Sequence, residues 1–206
     1  MTKRAIEHLR GDPVIAKVID RVGPVKLRPR RLPIFQSLTH AIVHQQLNGT
    51  AAGTILGRFR ALFDGAAFPT PQAVLKASPE SLRSAGLSRG KSGYILGLAQ
   101  KAVEGHIPSL EDCDEMTDQE IVERLTAIKG VGRWTAEMCL IFNLARPDVL
   151  PIHDYGVRKG FQIAYKKRKL PMPEHLEKFG KKWSPYRTTA ALYMYRAADF
   201  LKDGEW

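Results

Sequence analysis

The chain has 206 residues, enough for one sizeable core or for two small lobes, and 32 Lys and Arg against 21 Asp and Glu leave a formal net charge of +11. That balance disfavours an acidic surface as partner and favours a polyanion, nucleic acid first, with a basic protein that binds no polyanion as the alternative. Two cysteines without CxxC spacing, Cys113 and Cys139, suggest neither a disulfide framework nor a structural zinc site, exclude a four-cysteine iron–sulfur cluster, and fit the cytosol. No apolar run approaches the ~18 residues that span a bilayer, and M-T-K-R-A-I-E-H carries an acid and no apolar core, so neither export nor anchoring is expected.

In chain order, the first helical signal is D-P-V-I-A-K-V-I-D-R, with Val14, Ile15, Val18 and Ile19 on one face, Asp12 as cap and Pro13 at the first helical position. V-G-P-V-K-L-R-P-R-R-L-P breaks regular structure, and its basic residues are read as solvated, DNA contact being the alternative. Pro33 opens a helix whose stripe of Phe35, Leu38, Ile42 and Val43 ends at the polar stretch His44, Gln45, Gln46, Leu47, Asn48, Gly49. Such a tip suits a wedge, because an amide replaces lost base-pair hydrogen bonds while Leu47 fills the hole left by an extruded nucleotide. A plain interhelical turn with Leu47 in the core is the other reading.

Ala51 to Phe63 continues as helix, with Ile55, Leu56, Phe59 and Phe63 assigned to the core. Pro71 and Pro79 start two short helices capped by Thr70 and Ser78. A-G-L-S-R-G-K-S-G-Y is a glycine-bounded turn into a helix capped by Ser88, structural in role, with Arg89 or Lys91 as candidate backbone contacts. Thr117 and Glu120 form a capping box for a helix with Ile121, Val122, Leu125 and Ile128 on one face.

Gly130 and Gly132 then flank Val131 in a turn that leaves backbone N–H groups exposed at the start of a helix from Arg133 to about Leu144. The helix dipole, Lys129 and Arg133 make this an anion site, with a simple helix–helix connection as the alternative. Pro147 and Pro151 bound an apolar loop that delivers Asp154 to the next helix N-terminus, where an acid acts as an ordinary N-cap or as a catalyst. That helix runs through Tyr165 and ends in Lys166 to Lys169, a solvated basic end suited to its dipole. The final helix starts at Ser184–Pro185 and runs through Leu192, Tyr193 and Tyr195 to Leu201. No strand is signalled, so the fold class is all-α.

The run I-K-G-V-G-R-W-T-A followed by L-P-I-H-D-Y-G-V-R-K-G resembles the helix-hairpin-helix signature of the DNA glycosylase superfamily, and most closely its 3-methyladenine DNA glycosylase II branch. F-Q-S-L-T-H-A-I-V-H-Q-Q-L, A-G-L-S-R-G-K-S-G-Y and W-S-P-Y-R-T-T-A-A-L-Y share the resemblance, which covers nearly the whole chain. It implies one two-lobed helical bundle with a cleft between lobes: 35–115 as the first lobe, 116–165 as hairpin and catalytic segment, and 1–34 plus 166–206 as the second lobe. The implied activity is monofunctional hydrolysis of the N-glycosidic bond of alkylated purines, of the 3-methyladenine and 7-methylguanine type, after the base is flipped from double-stranded DNA. The product would be an abasic site in an intact strand, for base excision repair.

By resemblance, Asp154 is the catalytic residue and Trp134, Met138 and Tyr195 belong to the base pocket. Trp134 as a packing residue is the alternative, and a larger aromatic is common at 138 and 195 in the best-known relative, so base preference stays open. The wedge is Gln46 or Leu47. Lys129, Gly130, Gly132, Arg133 and Lys159 are expected to contact the DNA backbone, and the resemblance implies a monovalent cation held by hairpin carbonyls, Ile128 and Val131 among them. Some relatives carry an iron–sulfur cluster after the catalytic helix; this tail has no cysteine, and no cofactor is expected. His153 either tunes the carboxylate and contacts the backbone or is an exposed loop residue.

The chemistry fits one acid. Breaking C1′–N builds positive charge on the sugar, which a preplaced carboxylate stabilises while positioning water, and a base already cationic by alkylation leaves without protonation. The lyase branch has a nucleophilic lysine where this chain has Trp134, which cannot form a Schiff base. The expected protein is a cytoplasmic monomer; the alternatives are a non-catalytic helix-hairpin-helix DNA-binding module and a glycosylase-lyase for oxidised bases.

Overall fold

The computed structural model describes residues 2–63 and 67–200, without the side chain of Phe200; the expected helix end at Leu201 lies outside them. Among the described residues every regular element is helical and none is a strand, the all-α class read from the sequence. None of these helices is long and apolar enough to cross a membrane. The chain divides into two compact units, one of Arg30–Cys139 and one that joins the residues up to Pro29 to those from Leu140 onward.

The Arg30–Cys139 unit holds α3 (Ile34–His44), α4 (Gly49–Ala61), α5 (Pro71–Leu75), α6 (Pro79–Ser84), α7 (Arg89–Val103), α8 (Leu110–Glu115), α9 (Asp118–Thr126) and α10 (Arg133–Met138). Side-chain oxygens of Asn48, Thr70, Ser78, Ser88, Ser109 and Thr117 accept first-turn N–H groups, so local polar signals set most of the helix starts. Leu38, Ile42, Phe59, Val74, Leu82, Ile95, Leu98, Ile121 and Leu125 are fully buried, and α7 packs on α3, α5 and α6. On α4 only Phe59 and Ala52 are fully buried; Ile55 and Leu56, expected in the core, are half-covered, as is Phe63 just beyond the helix.

The other unit contains α1 (Lys3–Leu9), α2 (Pro13–Val22), α11 (Tyr155–Ala164), α12 (Pro173–Gly180) and α13 (Arg187–Phe200); a π-turn over Cys139–Asn143 directly continues α10 and passes into this unit after Cys139. Its core gathers Leu9, Ile15, Val18, Leu150, Val157, Phe161, Leu176, Trp183, Tyr193 and Met194. Asp12 caps α2 through the Val14 N–H, and its carboxylate also accepts the Tyr165 hydroxyl and the Lys182 ammonium, the latter at 2.8 Å. Burial pushes this carboxyl up, but the hydrogen bonds together outweigh it and hold the group below the usual carboxylate range.

Four features depart from the sequence reading. The segment 116–165 is split between the units, because α10 packs on α9 and α3 while α11 packs on α13 and α2. The helix after the hairpin is regular only to Met138 and then widens into the π-turn. Helices α1, α8 and α12 lack the long apolar periodicity that would announce them, and hold through Thr2, the Ser109–Asp112 capping box and Pro173 at a first position. The last helix begins at Arg187 rather than at Ser184–Pro185, and its first N–H groups are met by the loop that leads into α11: Arg187 N–H binds Asp148 and Thr188 N–H binds the Pro147 carbonyl.

Candidate active site

The glycine hairpin is built by the end of α9. Gly130 has φ +91°, a region that costs other residues dearly, and a Cβ there would run into the ring of Tyr94 on α7. The Val131 N–H closes onto the Ile128 carbonyl at 3.0 Å, and Val131 and Ile128 are buried while Lys129 and Gly132 stay exposed. Gly132 caps α10 without a side chain, which leaves the first-turn N–H groups of α10 without a side-chain cap. Arg133 is exposed but not wholly available, because its Nε donates to the buried Glu137 carboxylate at 3.0 Å. Trp134 and Met138 lie one turn apart on α10, both half-buried.

The junction between α3 and α4 lies in the same unit. Gln46 adopts φ +58°, and both Gln46 and Leu47 are exposed, Leu47 to 38 %. The reading that places Leu47 in the core is therefore overturned. Gln45, just before them, donates from Nε2 to the Gly130 carbonyl at 3.2 Å and to Thr135 Oγ1 at 3.0 Å. Lys91, in the first turn of α7, donates to the carbonyls of Val43 and Gln45, each at 2.7 Å, and burial lowers its pKa.

In the other unit, Asp154 is the N-cap of α11, only 8 % exposed, with its Oδ1 accepting the Val157 N–H at 3.0 Å. The N-cap reading of this acid holds, and the cap fixes the direction of the carboxylate. The loop before it is stitched to α13. Thr188 Oγ1 donates to the Arg146 carbonyl at 2.6 Å and accepts the Val149 N–H at 3.0 Å, while Asp148 is held at both oxygens by Arg187, at 2.8 and 3.0 Å. Burial raises the Asp148 carboxyl, yet Arg187 and Ser184 outweigh it and keep the group below its ordinary range.

Two glycines seat α11 on α13. A Cβ on Gly160 would collide with the Met194 carbonyl, and one on Gly156 would stand 2.9 Å from the Tyr195 ring and 3.2 Å from Asp154 Oδ1. Half-buried Tyr195 thus lies beside the acid, with the Phe142 ring 6.4 Å away. His153 is exposed, and Lys159 donates to Gln162 at 3.0 Å.

A family model described as the HhH-GPD superfamily of base excision DNA repair proteins matches residues 39–185, which span both the hairpin and Asp154. The chain belongs to this superfamily. Among HhH-GPD relatives, DNA-3-methyladenine glycosylase 1 of Schizosaccharomyces pombe is 34 % identical over 191 residues, covering 91 % of this chain and 83 % of the relative. The alkylbase DNA glycosidase-like protein mag2 of the same organism is 33 % identical, over 98 % of this chain and 97 % of its own. The solved structure of Schizosaccharomyces pombe 3-methyladenine DNA glycosylase (Mag1) in complex with abasic DNA superposes with a TM-score of 0.91 at 33 % identity, covering 99 % of this chain and all of that one.

Within this HhH-GPD chain the structure brings Asp154 and Tyr195 together in one unit, and sets the Gln46–Leu47 tip, the hairpin, Trp134 and Met138 in the other. Sequence reading missed Gln45, Gly156, Gly160, Asp148 and Thr188 as site-forming residues. A signal existed only for the glycines, since helix-interior glycine costs ~1 kcal/mol relative to alanine and calls for a packing reason.

Proposed function

We propose that this chain is a monofunctional DNA glycosylase that flips an alkylated purine of the 3-methyladenine or 7-methylguanine type out of double-stranded DNA and hydrolyses its N-glycosidic bond. The observation that carries the proposal is the Asp154 carboxylate, oriented by the Val157 N–H beside Tyr195, in a chain whose length and fold match a glycosylase solved on abasic DNA.

In this reading, the hairpin N–H groups, Lys129, Arg133 and Lys159 hold the strand by its phosphates, with Gly130 and Gly132 allowing close approach. Gln46 and Leu47 fill the space of the everted nucleotide. Trp134 offers an electron-rich face to a cationic base, and Met138 and Tyr195 are further base contacts. As C1′–N breaks, the bond's electron pair leaves with the base, whose positive charge it neutralises. Asp154 stabilises the oxocarbenium and orients water; the oxygen adds to C1′ and its proton passes to the carboxylate or solvent. The neutral carbonyls of Ile128 and Val131 are of the type a monovalent cation takes, on a turn braced by Gln45 and Tyr94; they would hold such an ion, which would add positive charge to a phosphate-binding hairpin. The protein would act as a monomer, and the buried thiols of Cys113 and Cys139, in no disulfide, fit the reducing cytoplasm.

The test is to incubate the protein with methylated duplex DNA and identify the released bases by chromatography, wild type beside Asp154→Asn. Free alkylated purine from the wild type, and release at least a hundredfold slower from the variant at equal or tighter binding, supports the proposal. Binding without release by the wild type leaves a non-catalytic DNA-binding module; strand cleavage with borohydride trapping leaves a lyase.

A further inference from the structure

Between α3 and α4 the exposed Gln46 and Leu47 stand on an anchored base. The C-terminal carbonyls of α3 at Val43 and Gln45 are both taken by Lys91 Nζ at 2.7 Å, while the Gln45 amide reaches across to Gly130 and Thr135. One turn beyond Lys91 on α7, Tyr94 fills the space that a side chain at Gly130 would need. The tip and the hairpin therefore share two supports, the direct amide bridge and the first turns of α7. All of these groups lie within the Arg30–Cys139 unit.

Lys91 and Gln45 are half-buried, and neither faces a carboxylate in these contacts: the ammonium is spent on two neutral carbonyls. A cation placed there holds backbone rather than attracting DNA. Without it, the chain reversal at Gln46, with its positive φ, would be free to choose among conformers, and inserting the tip into a duplex would carry the cost of ordering it.

We infer that Gln45 and Lys91 are positioning residues which lock the Gln46–Leu47 tip to the phosphate-gripping hairpin, so that gripping the strand presents the wedge already set for base eversion. The inference rests on the proposed glycosylase reading. Neither residue touches the base. They act on the unstacking step, and their removal weakens eversion more than it weakens strand binding or the bond-breaking step.

The experiment compares wild type, Gln45→Met and Lys91→Met in single-turnover release of 7-methylguanine from two duplexes, with the lesion opposite cytosine or opposite an abasic gap, each variant's melting temperature recorded alongside. A lesion facing a gap is already partly unstacked. Each variant should release base about tenfold more slowly than wild type from the paired lesion, and less than about threefold more slowly from the gapped one. Equal losses on both duplexes, whatever the melting temperature, assign the two residues to fold maintenance and overturn the inference, as do rates equal to wild type on both. If one variant fails to fold, the other decides on the same criterion. Should the wild type release no base from either duplex, the glycosylase reading itself falls, a result distinct from unequal behaviour of the variants.

Discussion

Gly156 and Gly160 lie on one face of α11 and are expected to respond oppositely to the same small change, alanine. In Gly160→Ala the new methyl meets the Met194 carbonyl, backbone in the middle of α13, which yields only if the two helices separate. Helix propensity returns up to ~1 kcal/mol, but parting helices whose contact includes the buried Val157, Phe161 and Ala190 forfeits packing on both sides. Overpacking of this kind costs about 1–3 kcal/mol where side chains absorb it, and more where backbone must move. A net loss of about 3 kcal/mol lowers the melting temperature by roughly 6–12 °C in a chain of this size.

In Gly156→Ala the neighbour at 2.9 Å is the Tyr195 ring, which a shift of a few tenths of an ångström relieves, so stability should stay within about 1 kcal/mol of wild type. The same methyl stands 3.2 Å from Asp154 Oδ1, and displacing the ring and the carboxylate together should slow base release by about tenfold to a hundredfold. Thermal unfolding and single-turnover release from methylated duplex DNA check both halves. Wild-type release by Gly156→Ala would show that the spacing of Asp154 and Tyr195 does not govern the reaction. An unchanged melting temperature in Gly160→Ala would show that α11 is not seated on α13 as described.

Affinity for duplex DNA should fall steeply with salt, and Lys129→Ala should flatten the slope of log K against log salt by about one unit, measured by fluorescence anisotropy; an unchanged slope removes Lys129 from the phosphate contacts. The His40 imidazole is pushed down to about 4 by burial first and by Arg30, His44 and Arg60 next. The unfolded chain, with a histidine pKa near 6.5, then binds this proton before the folded one, so stability is full above about pH 6.5 and declines as pH falls toward 4. After a discount for the solvent that still screens this half-buried ring, wild type should lose up to about 1 kcal/mol between pH 7 and pH 5 through this group, a loss absent in His40→Gln; urea titrations at both pH values with parallel losses would refute it.

What was legible in the sequence is what short-range chemistry dictates. Asp12, Thr70, Ser78, Ser88, Thr117 and Asp154 cap helices because each is a side-chain acceptor within three residues of the N–H it serves. Gly130 is needed because the turn takes a positive φ, a demand visible from its neighbours in the chain. The all-α class followed from apolar spacing with no strand pattern, and the run from Ile128 to Gly160 carried the resemblance that family membership bears out.

Tertiary structure alone decided what each of these local features faces. Gln45 and Gly130 are joined by a hydrogen bond across 85 positions, Thr188 reaches back over 42 residues to Arg146, and Gly160 is required by a carbonyl on another helix. No window of sequence holds both partners of such contacts. Their geometry is set when buried helix faces dock, and docking depends on the summed shape of many side chains rather than on any one of them. The Asp154 cap could be read from the chain; its placement beside Tyr195, through a glycine that leaves room for the ring, required the fold.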